Sequence, residues 1–491
     1  MYNLINEIFD KVLTSSQGYS LLLKGPPGSG KTTLALSILD QFSKNNKPLY
    51  FSTRVGDSSL YQQFPWLKKY EKNVRILIST EQFLSQIYRE TGEKEYKAIA
   101  KKFLNELNKK PEVSRLYMKM FFSDLDVVEI EHIYREIESK LPDKSLIVID
   151  SLEGLSSRYG IGEALFTYMV QKDLVESANA TVIFVSEKNV PSPEDYVVDG
   201  ILYLTYTVED GKRFRELNIK KLRGASIENS SISFTLNSGR FYAFNPLELR
   251  GKRVSRFNPI PERDGTYSTG IEDLDRLLGG GIRYGSFFNI QVEKDVTLES
   301  WRIFETPIVI NFFLNGYGVF AIPTPGYSYE TNKKYFSQWV PEEILDKNTT
   351  YIDYSIAESK RSNVIALAGK DPIDASEIHR KTIKDHLAKY EKTLFIIHHD
   401  FLEYSMGPSI TLKNIFANLN NLKPSKSIAI SITKPGQEIA KEITNLADYK
   451  INLLNRDGIT FIYGIKPRTV YHAVEIDEKK GFPYLRLVPL N

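Results

Sequence analysis

Residues Gly25-Pro26-Pro27-Gly28-Ser29-Gly30-Lys31-Thr32 fit the spacing G-x-x-x-x-G-K-[ST] without exception. The pattern follows an apolar run and opens a helical one, the context in which it carries chemistry. Glycines let backbone amides close around phosphate oxygens without Cβ clashes. The following helix turns its positive end toward the same anion. Lys31 adds a point charge for the β- and γ-phosphates of a nucleoside triphosphate, and the Thr32 hydroxyl is a ligand for Mg²⁺. The expected nucleotide-binding set is therefore Gly25, Pro26, Pro27, Gly28, Ser29, Gly30, Lys31, Thr32 and Thr33. The competing interpretation, a glycine-rich turn without a ligand, leaves the adjacent lysine and threonine unexplained. A second component of such a site is a carboxylate at the end of a buried strand, and the run Ser145–Asp150 supplies one. Asp is also a good helix N-cap. Behind a complete phosphate loop, Mg²⁺ ligation by Asp150 through water is the preferred role, so Thr32 and Asp150 form the expected metal pair.

Strands and helices must hold these residues in place. Short apolar runs recur at Ser20–Lys24, Pro48–Ser52, Val74–Ile78, Ser145–Asp150, Thr181–Ser186 and Gly200–Leu204, with helical patterns between them. Near-continuous apolar strands alternating with helices predict an α/β fold whose sheet is mostly parallel and covered on both faces. The stretch of about sixty residues from Thr80 to Leu141 breaks the rhythm. Its apolar residues are three or four apart, which predicts a helical insertion over about 80–141. A second set of strands begins at Phe287–Gln291 and continues through Val319–Ile322, Thr350–Asp353, Thr393–His398, Ser427–Ile432 and Tyr449–Leu454. Ordered pairs such as Leu146–Asp150 with Leu394–His398, and Ile219–Gly224 with Ile465–Thr469, argue for a tandem duplication. The expected division is 1–247, a polar, arginine-bearing linker at 248–265, and 266–491.

Composition narrows the function classes. The chain has 491 residues with net charge +3, and 27 Phe and 29 Tyr are too many rings for a disordered protein. The absence of cysteine removes disulfides, thiolate zinc sites and cysteine catalysis. Abundant Lys and Glu with little Gln suggests a thermophilic source. The N-terminal segment lacks a basic stretch followed by an apolar run, and no stretch of about 18 apolar residues occurs. A cytoplasmic protein without a membrane span is expected.

The motifs resemble the RecA-like ATPases, and within them the KaiC-like branch. Ser268-Thr269-Gly270-Ile271 through Leu277-Leu278-Gly279-Gly280-Gly281 resembles the stretch that precedes the phosphate loop in that branch, and Asp199-Gly200 followed by Lys221-Leu222-Arg223-Gly224 is similar to its D-G … K-x-R-G element. Tyr50-Phe51-Ser52-Thr53-Arg54-Val55 with Gln63-Phe64-Pro65, the insertion and the basic linker resemble archaeal GvpD-like regulators of gas-vesicle genes. The resemblance implies tandem RecA-like domains, ATP and Mg²⁺ as cofactors, and a homo-oligomer, with a hexameric ring as one form. It also implies that Lys221 and Arg223 reach a neighbouring subunit's γ-phosphate.

Two departures qualify it. The strand after the first helix ends Ser52-Thr53-Arg54, where the family has a catalytic glutamate. Glu153 and Asp57 are the substitutes at hand, so hydrolysis is expected to be slow. In the second half the loop reads Val292-Glu293-Lys294-Asp295-Val296-Thr297-Leu298-Glu299, with no glycine and three carboxylates. Like charges against a polyphosphate cost on the order of several kcal/mol. The second domain is expected to keep the fold without the nucleotide.

Catalysis is thus assigned to Lys31, Asp150, Glu153, Lys221 and Arg223. His398-His399-Asp400 splay onto opposite strand faces and are read as structural. The expected protein is an ATP-binding regulatory switch with a weak ATPase and a regulatory protein partner. Rival readings are a RecA-type DNA recombination or repair ATPase and a scaffold holding ATP as a structural ligand. Nucleic acid is disfavoured, because the basic residues cluster in the linker and not in the core.

Overall fold

A computed structural model describes residues 17–42, 48–53, 57–70, 75–78, 145–209, 211–227, 229–324 and 327–490. The expected helical insertion at about 80–141 lies outside the described residues. The chain divides into two compact units, Met1–Ala243 with Asn491, and Phe244–Leu490.

In the first unit the strands are β1 (Tyr19–Lys24), β2 (Leu49–Ser52), β3 (Arg75–Ile78), β4 (Leu146–Asp150), β5 (Thr181–Val185), β6 (Gly200–Glu209), β7 (Lys212–Leu222), β8 (Ser231–Thr235) and β9 (Tyr242–Ala243). The helices are α1 (Lys31–Phe42), α2 (Asp57–Gln63), α3 (Leu152–Tyr159), α4 (Glu163–Val170) and α5 (Glu194–Val197). The sheet order is β3-β2-β4-β5-β1-β6-β7-β8-β9. β3 to β6 pair in parallel, and β7 to β9 add an antiparallel edge. β1 is buried at every position, so its two faces need separate cover. Leu34, Ala35, Ile38 and Leu39 of α1 pack with Leu21 and Leu23 on one face. Leu22 joins Phe166, Met169 and Val170 of α4 on the other. Each buried Leu, Ile, Val, Phe or Met among these contributes roughly 1.5–3 kcal/mol.

The second unit opens with a ribbon, β10 (Thr266–Tyr267) and β11 (Ile282–Arg283), around α6 (Glu272–Leu277). Its main strands are β12 (Phe287–Val292), β13 (Gly318–Ile322), β14 (Thr349–Asp353), β15 (Val364–Ala366), β16 (Thr393–His398), β17 (Ile428–Thr433), β18 (Tyr449–Arg456), β19 (Ile459–Lys466), β20 (His472–Ile476) and β21 (Leu485–Pro489). Its further helices are α7 (Leu298–Leu314), α8 (Tyr329–Phe336), α9 (Glu342–Asn348), α10 (Pro372–Lys389), α11 (His399–Met406), α12 (Pro408–Leu422) and α13 (Ala440–Leu446). The sheet order is β15-β14-β13-β16-β17-β12-β18-β19-β20-β21. With β15 set aside, this repeats the first sheet strand for strand. The architecture is α/β, two mostly parallel sheets flanked by helices, consistent with tandem RecA-like domains.

Residues 248–265 are not a free connector but part of the second unit. Phe257 is buried and packs against Tyr484. The Ile260 amide donates to Asn311 Oδ1 at 2.7 Å, and Trp339 Nε1 donates to the Ser255 carbonyl at 3.1 Å. Glu262 pairs with Lys392 and accepts from the Tyr284 hydroxyl.

Candidate functional site

β1 delivers Gly25 to the C-terminal edge of the first sheet, and the loop 25–30 turns there into α1. Gly25 sits at φ +144°, and a Cβ on it would stand 2.1 Å from the Leu204 carbonyl oxygen of β6. Gly30, at φ +107°, lies against Leu236. Both positions exclude a side chain. Gly30 also offers no side-chain acceptor to the amides of the first turn of α1.

Lys31 is 6% exposed. Its Nζ donates to the carbonyls of Gly25 at 2.7 Å and Pro26 at 3.0 Å, so the ammonium is folded onto the loop. The Ser29 amide donates to the Pro26 carbonyl, while its buried Oγ has no hydrogen-bond partner among the described residues. Thr33 is buried inside α1, its carbonyl accepting from Ser37.

Thr32 Oγ1 donates to Asp150 Oδ2 at 2.7 Å across 118 residues of sequence. The two expected metal ligands therefore meet. Tyr50 on β2 donates to the same oxygen at 2.9 Å. Burial first, then the Asp150 carboxylate, holds the Tyr50 hydroxyl well above its ordinary pKa, so it remains a donor. Ser151 caps α3, accepting from the Gly154 amide. Asp150 is thereby left for the strand edge instead of the cap.

Just beyond β2, Thr53 accepts from the Ser151 amide at 3.0 Å, and its own amide donates to the Asp150 carbonyl at 2.8 Å. Glu153, in the first turn of α3, reaches the end of β5. Its Oε1 accepts from Ser186 Oγ at 2.5 Å and the Glu187 amide at 2.8 Å, and its Oε2 is buried without a partner among the described residues. Ser186 in turn donates its amide to the Leu23 carbonyl, which brings Glu153 to the same sheet edge as the loop. Asp57 opens α2, and its side chain lies outside the described residues.

Sequence reasoning did not single out Arg215. On β7, opposite Tyr206, it donates Nη1 to the carbonyls of Gly28 at 2.8 Å and Ser29 at 3.2 Å. It is buried, and desolvation followed by Arg213 nearby pushes its pKa down to about 10. Tyr50 was also missed. Its signal is its register: Ser52 pairs with Asp150, so Tyr50 is the diagonal neighbour on the same sheet face.

Lys221 and Arg223 lie at the opposite edge. Arg223 is eight residues beyond Arg215, on the order of 25 Å at ~3.3 Å per residue, too far to reach its own chain's loop. Lys221 Nζ donates to the carbonyls of Asp195 and Val198, at the end of α5. Lys466 Nζ does the same in the second unit, to Thr444, Asn445 and Ala447 at the end of α13. The lysine is a helix-end clamp repeated in both units. Arg223 is 56% exposed and pairs with Asp199 at 3.1 Å.

In the second unit the residues between β12 and α7 are Glu293–Thr297. Thr297 caps α7, its Oγ1 accepting from the Ser300 amide. Trp301 of α7 meets His398, at the end of β16, with ring centroids 6.0 Å apart and planes at 87°. The His398-His399-Asp400 run turns to three different partners: Trp301, Ser431 Oγ at 2.8 Å, and Lys434 at 2.6 Å.

Residues 9–221 match the family model described as GvpD gas vesicle protein, P-loop domain, and residues 256–354 match GvpD basic region 2. The chain is a GvpD-like P-loop protein. Protein GvpD2 of Halobacterium salinarum is 25% identical over 507 aligned residues, covering 98% of this chain and 95% of the relative. Protein GvpD1 of the same organism is 28% identical over 62% of this chain and 54% of its own length. The basic region 2 match lies wholly within the second unit and contains the packed segment from Arg256 onward. Among the described residues of this GvpD-like chain, no helix is long and apolar enough to cross a membrane.

Proposed function

We propose that this GvpD-like chain is an ATP-binding regulatory switch related to the KaiC-like branch, with one nucleotide-competent domain and one that has lost the nucleotide. The observation that carries the reading is the contrast between Gly25–Thr32 backed by Asp150 and Glu293–Thr297 backed by Trp301 and His398. In the first unit the loop amides, Lys31 and the Ser29 hydroxyl would hold the β- and γ-phosphates of ATP, and Thr32 with Asp150 would hold Mg²⁺. When bound, the metal neutralises phosphate charge and orients the transferred group. Glu153 is the carboxylate nearest in role to the missing glutamate. Its Oε1 is already tied to β5, which restrains it from orienting a water and keeps turnover slow.

Arg223 acts across a subunit interface in this reading, because its own loop is out of reach. A charge supplied in trans is worth on the order of a thousandfold in phosphoryl transfer. The working state is therefore a homo-oligomer, and a ring satisfies every site. Lys221 is assigned to the fold. Phosphate release measured against protein concentration tests this, with Arg223→Ala, Lys31→Ala and mixtures of the two. Specific activity that rises with concentration, a severe loss in Arg223→Ala at nearly unchanged ATP affinity, and partial recovery in the mixture support the shared site. Flat specific activity in a monomeric sample with a neutral Arg223→Ala overturns it. Saturable ATP binding with no turnover under any condition leaves the nucleotide as a structural ligand.

A further inference from the structure

The two units differ in what they pack between the first helix and the sheet. In the first, Tyr50 stands opposite Val148 of β4 and fills this space with a buried ring beside Ala35 and Ile38 of α1. Matching Leu146–Asp150 with Leu394–His398 sets Val148 against Ile396, and Ile396 stands opposite Ala321 of β13. A methyl group thus takes the place of a phenol. Counting from the first residue of each helix, Ala35 and Ile38 correspond to Arg302 and Glu305 of α7. The result is a cavity of about 70 Å³ between α7, α8 and the C-terminal end of β13. A single water needs about 10–15 Å³ of such space and claims about 30 Å³ in the liquid, so the chamber takes about five waters or one molecule of about 150 Å³.

Arg302 and Glu305 both line this chamber, and both are half-buried. They are three apart on α7, so about 5–6 Å separates their Cβ atoms. The Arg302 guanidinium lies over the rings of Tyr335 and Tyr327, 3.7 Å and 4.6 Å from their centroids, and its Nη2 donates to Asn332 Oδ1 at 3.3 Å. Its remaining N–H groups lie in its plane, a fork that suits a carboxylate. The Glu305 carboxylate has no hydrogen bond or ion pair among the described residues, and neither of its oxygens is sealed from open space. Burial pushes its pKa up to about 7, and Arg302 offsets only part of the rise. A carboxylate in such surroundings is costly until a cation meets it. The other ionisable groups of the wall do not serve: Lys333 is tied to Asp346 at 2.7 Å and Glu342 at 3.0 Å, and burial holds His398 neutral, its pKa down to about 4. Val309, Phe336 and Ile396 add an apolar wall.

We propose that this chamber binds an α-amino acid with a small apolar side chain, its carboxylate on the Arg302 guanidinium, its ammonium on the Glu305 carboxylate, and its side chain against Val309, Phe336 and Ile396. A zwitterion answers a cation and an anion that stand one helical turn apart, whereas a simple acid or amine answers only one of them. The assignment rests on the second unit alone and is independent of the nucleotide reading. It gives that unit a ligand of its own, of a class that the phosphate loop does not take.

Isothermal titration of the full chain with L-valine tests it, beside 3-methylbutanoate, which lacks the amine, and 2-methylpropylamine, which lacks the carboxylate. Saturable binding of L-valine is expected, at least about tenfold tighter than either analogue, the equivalent of one charge-assisted contact. Glu305→Met keeps the length of the side chain and removes the acceptor, and should erase the preference for L-valine over 3-methylbutanoate. Arg302→Met should erase the preference for L-valine over 2-methylpropylamine. No saturable binding of L-valine at millimolar concentration, an analogue that binds as tightly as L-valine, or a folded Glu305→Met that keeps the preference would overturn the proposal. If Arg302→Met fails to fold, the Glu305→Met comparison still decides, because replacing a half-buried, unpaired carboxylate with an apolar chain of its length leaves the fold intact.

Discussion

The same ordered set of strands carries two different strand-to-helix corners. At the first, a glycine precedes α1, the helix begins with Lys31 and Thr32, and a carboxylate waits at the end of β4. At the second, Thr297 precedes α7 and caps it, an indole stands in the first turn, and an imidazole waits at the end of β16. The two corners start the helix by different means. Thr297 answers a first-turn amide with its own side chain, whereas Gly30 has no side chain with which to do so. What the two units share is instructive too. Asp199 Oδ2 accepts from the Ser20 amide, and Asp448 Oδ2 accepts from the Phe287 amide, latching equivalent strands at the edge away from the loop. The lysine clamps at 221 and 466 repeat beside them. The aspartate latch and the lysine clamp recur in both units, whereas the phosphate-loop glycines, Lys31 and the Thr32–Asp150 pair are confined to the first.

Acid should break the second unit first. His379, His386 and His398 are held down to about 4 and His399 to about 3, in each case chiefly by burial. Their neutral forms are the folded ones, so the stability they support is complete above about pH 6.5 and is lost as pH falls toward 4, where the unfolded chain binds the protons. Each such histidine costs on the order of 2 kcal/mol by pH 5. Calorimetry at pH 7 and pH 5 should show the second unit's transition falling further than the first's, and equal shifts would contradict the contrast.

Trp301→Ala should cost about 3–5 kcal/mol in stability by opening a cavity at the second corner, with no effect on nucleotide affinity. Denaturant unfolding alongside nucleotide titration separates the two readouts. Lys31→Ala should lower ATP affinity on the order of a hundredfold, because a charge-assisted contact inside the phosphate cradle is lost. Lys294→Ala, in the corresponding stretch of the second unit, should leave affinity unchanged. Isothermal titration compares them.

Arg215→Gln should weaken ATP binding by about tenfold, since the loop carbonyls of Gly28 and Ser29 lose their charged donor. The residue opposite Asn455 in the second unit's hairpin is Thr460, where the first unit has Arg215 opposite Tyr206. Smallest of all, Lys221→Met and Lys466→Met should each cost about 1 kcal/mol, the worth of a clamp on helix-end carbonyls. Matched losses in thermal denaturation fit a structural role, whereas a selective collapse of ATP turnover in Lys221→Met would return that residue to the active site.

The phosphate loop, Asp150 and the parallel strands were legible because their signals are local. A contiguous motif marks the phosphate loop, and apolar runs such as Leu146–Asp150 mark both the buried strands and the carboxylate at the end of one. Arg215 was not legible, since its contact with Gly28 spans 187 residues and depends on the register of the β6–β7 hairpin. Lys221 looked like a finger because spacing on a strand does not reveal which helix ends beside it. The segment 248–265 read as a linker because its arginines and prolines outnumber its anchors. A few contacts, the burial of Phe257 and the hydrogen bond from Ile260 to Asn311, are enough to fix it.

The number of nucleotides bound per chain tests the account most directly. Equilibrium dialysis of the full chain with Mg²⁺ and a non-hydrolysable ATP analogue should reach one equivalent per chain, and Lys31→Ala should bring it near zero. Two equivalents per chain, or one that survives Lys31→Ala, would contradict the division of labour between the two corners.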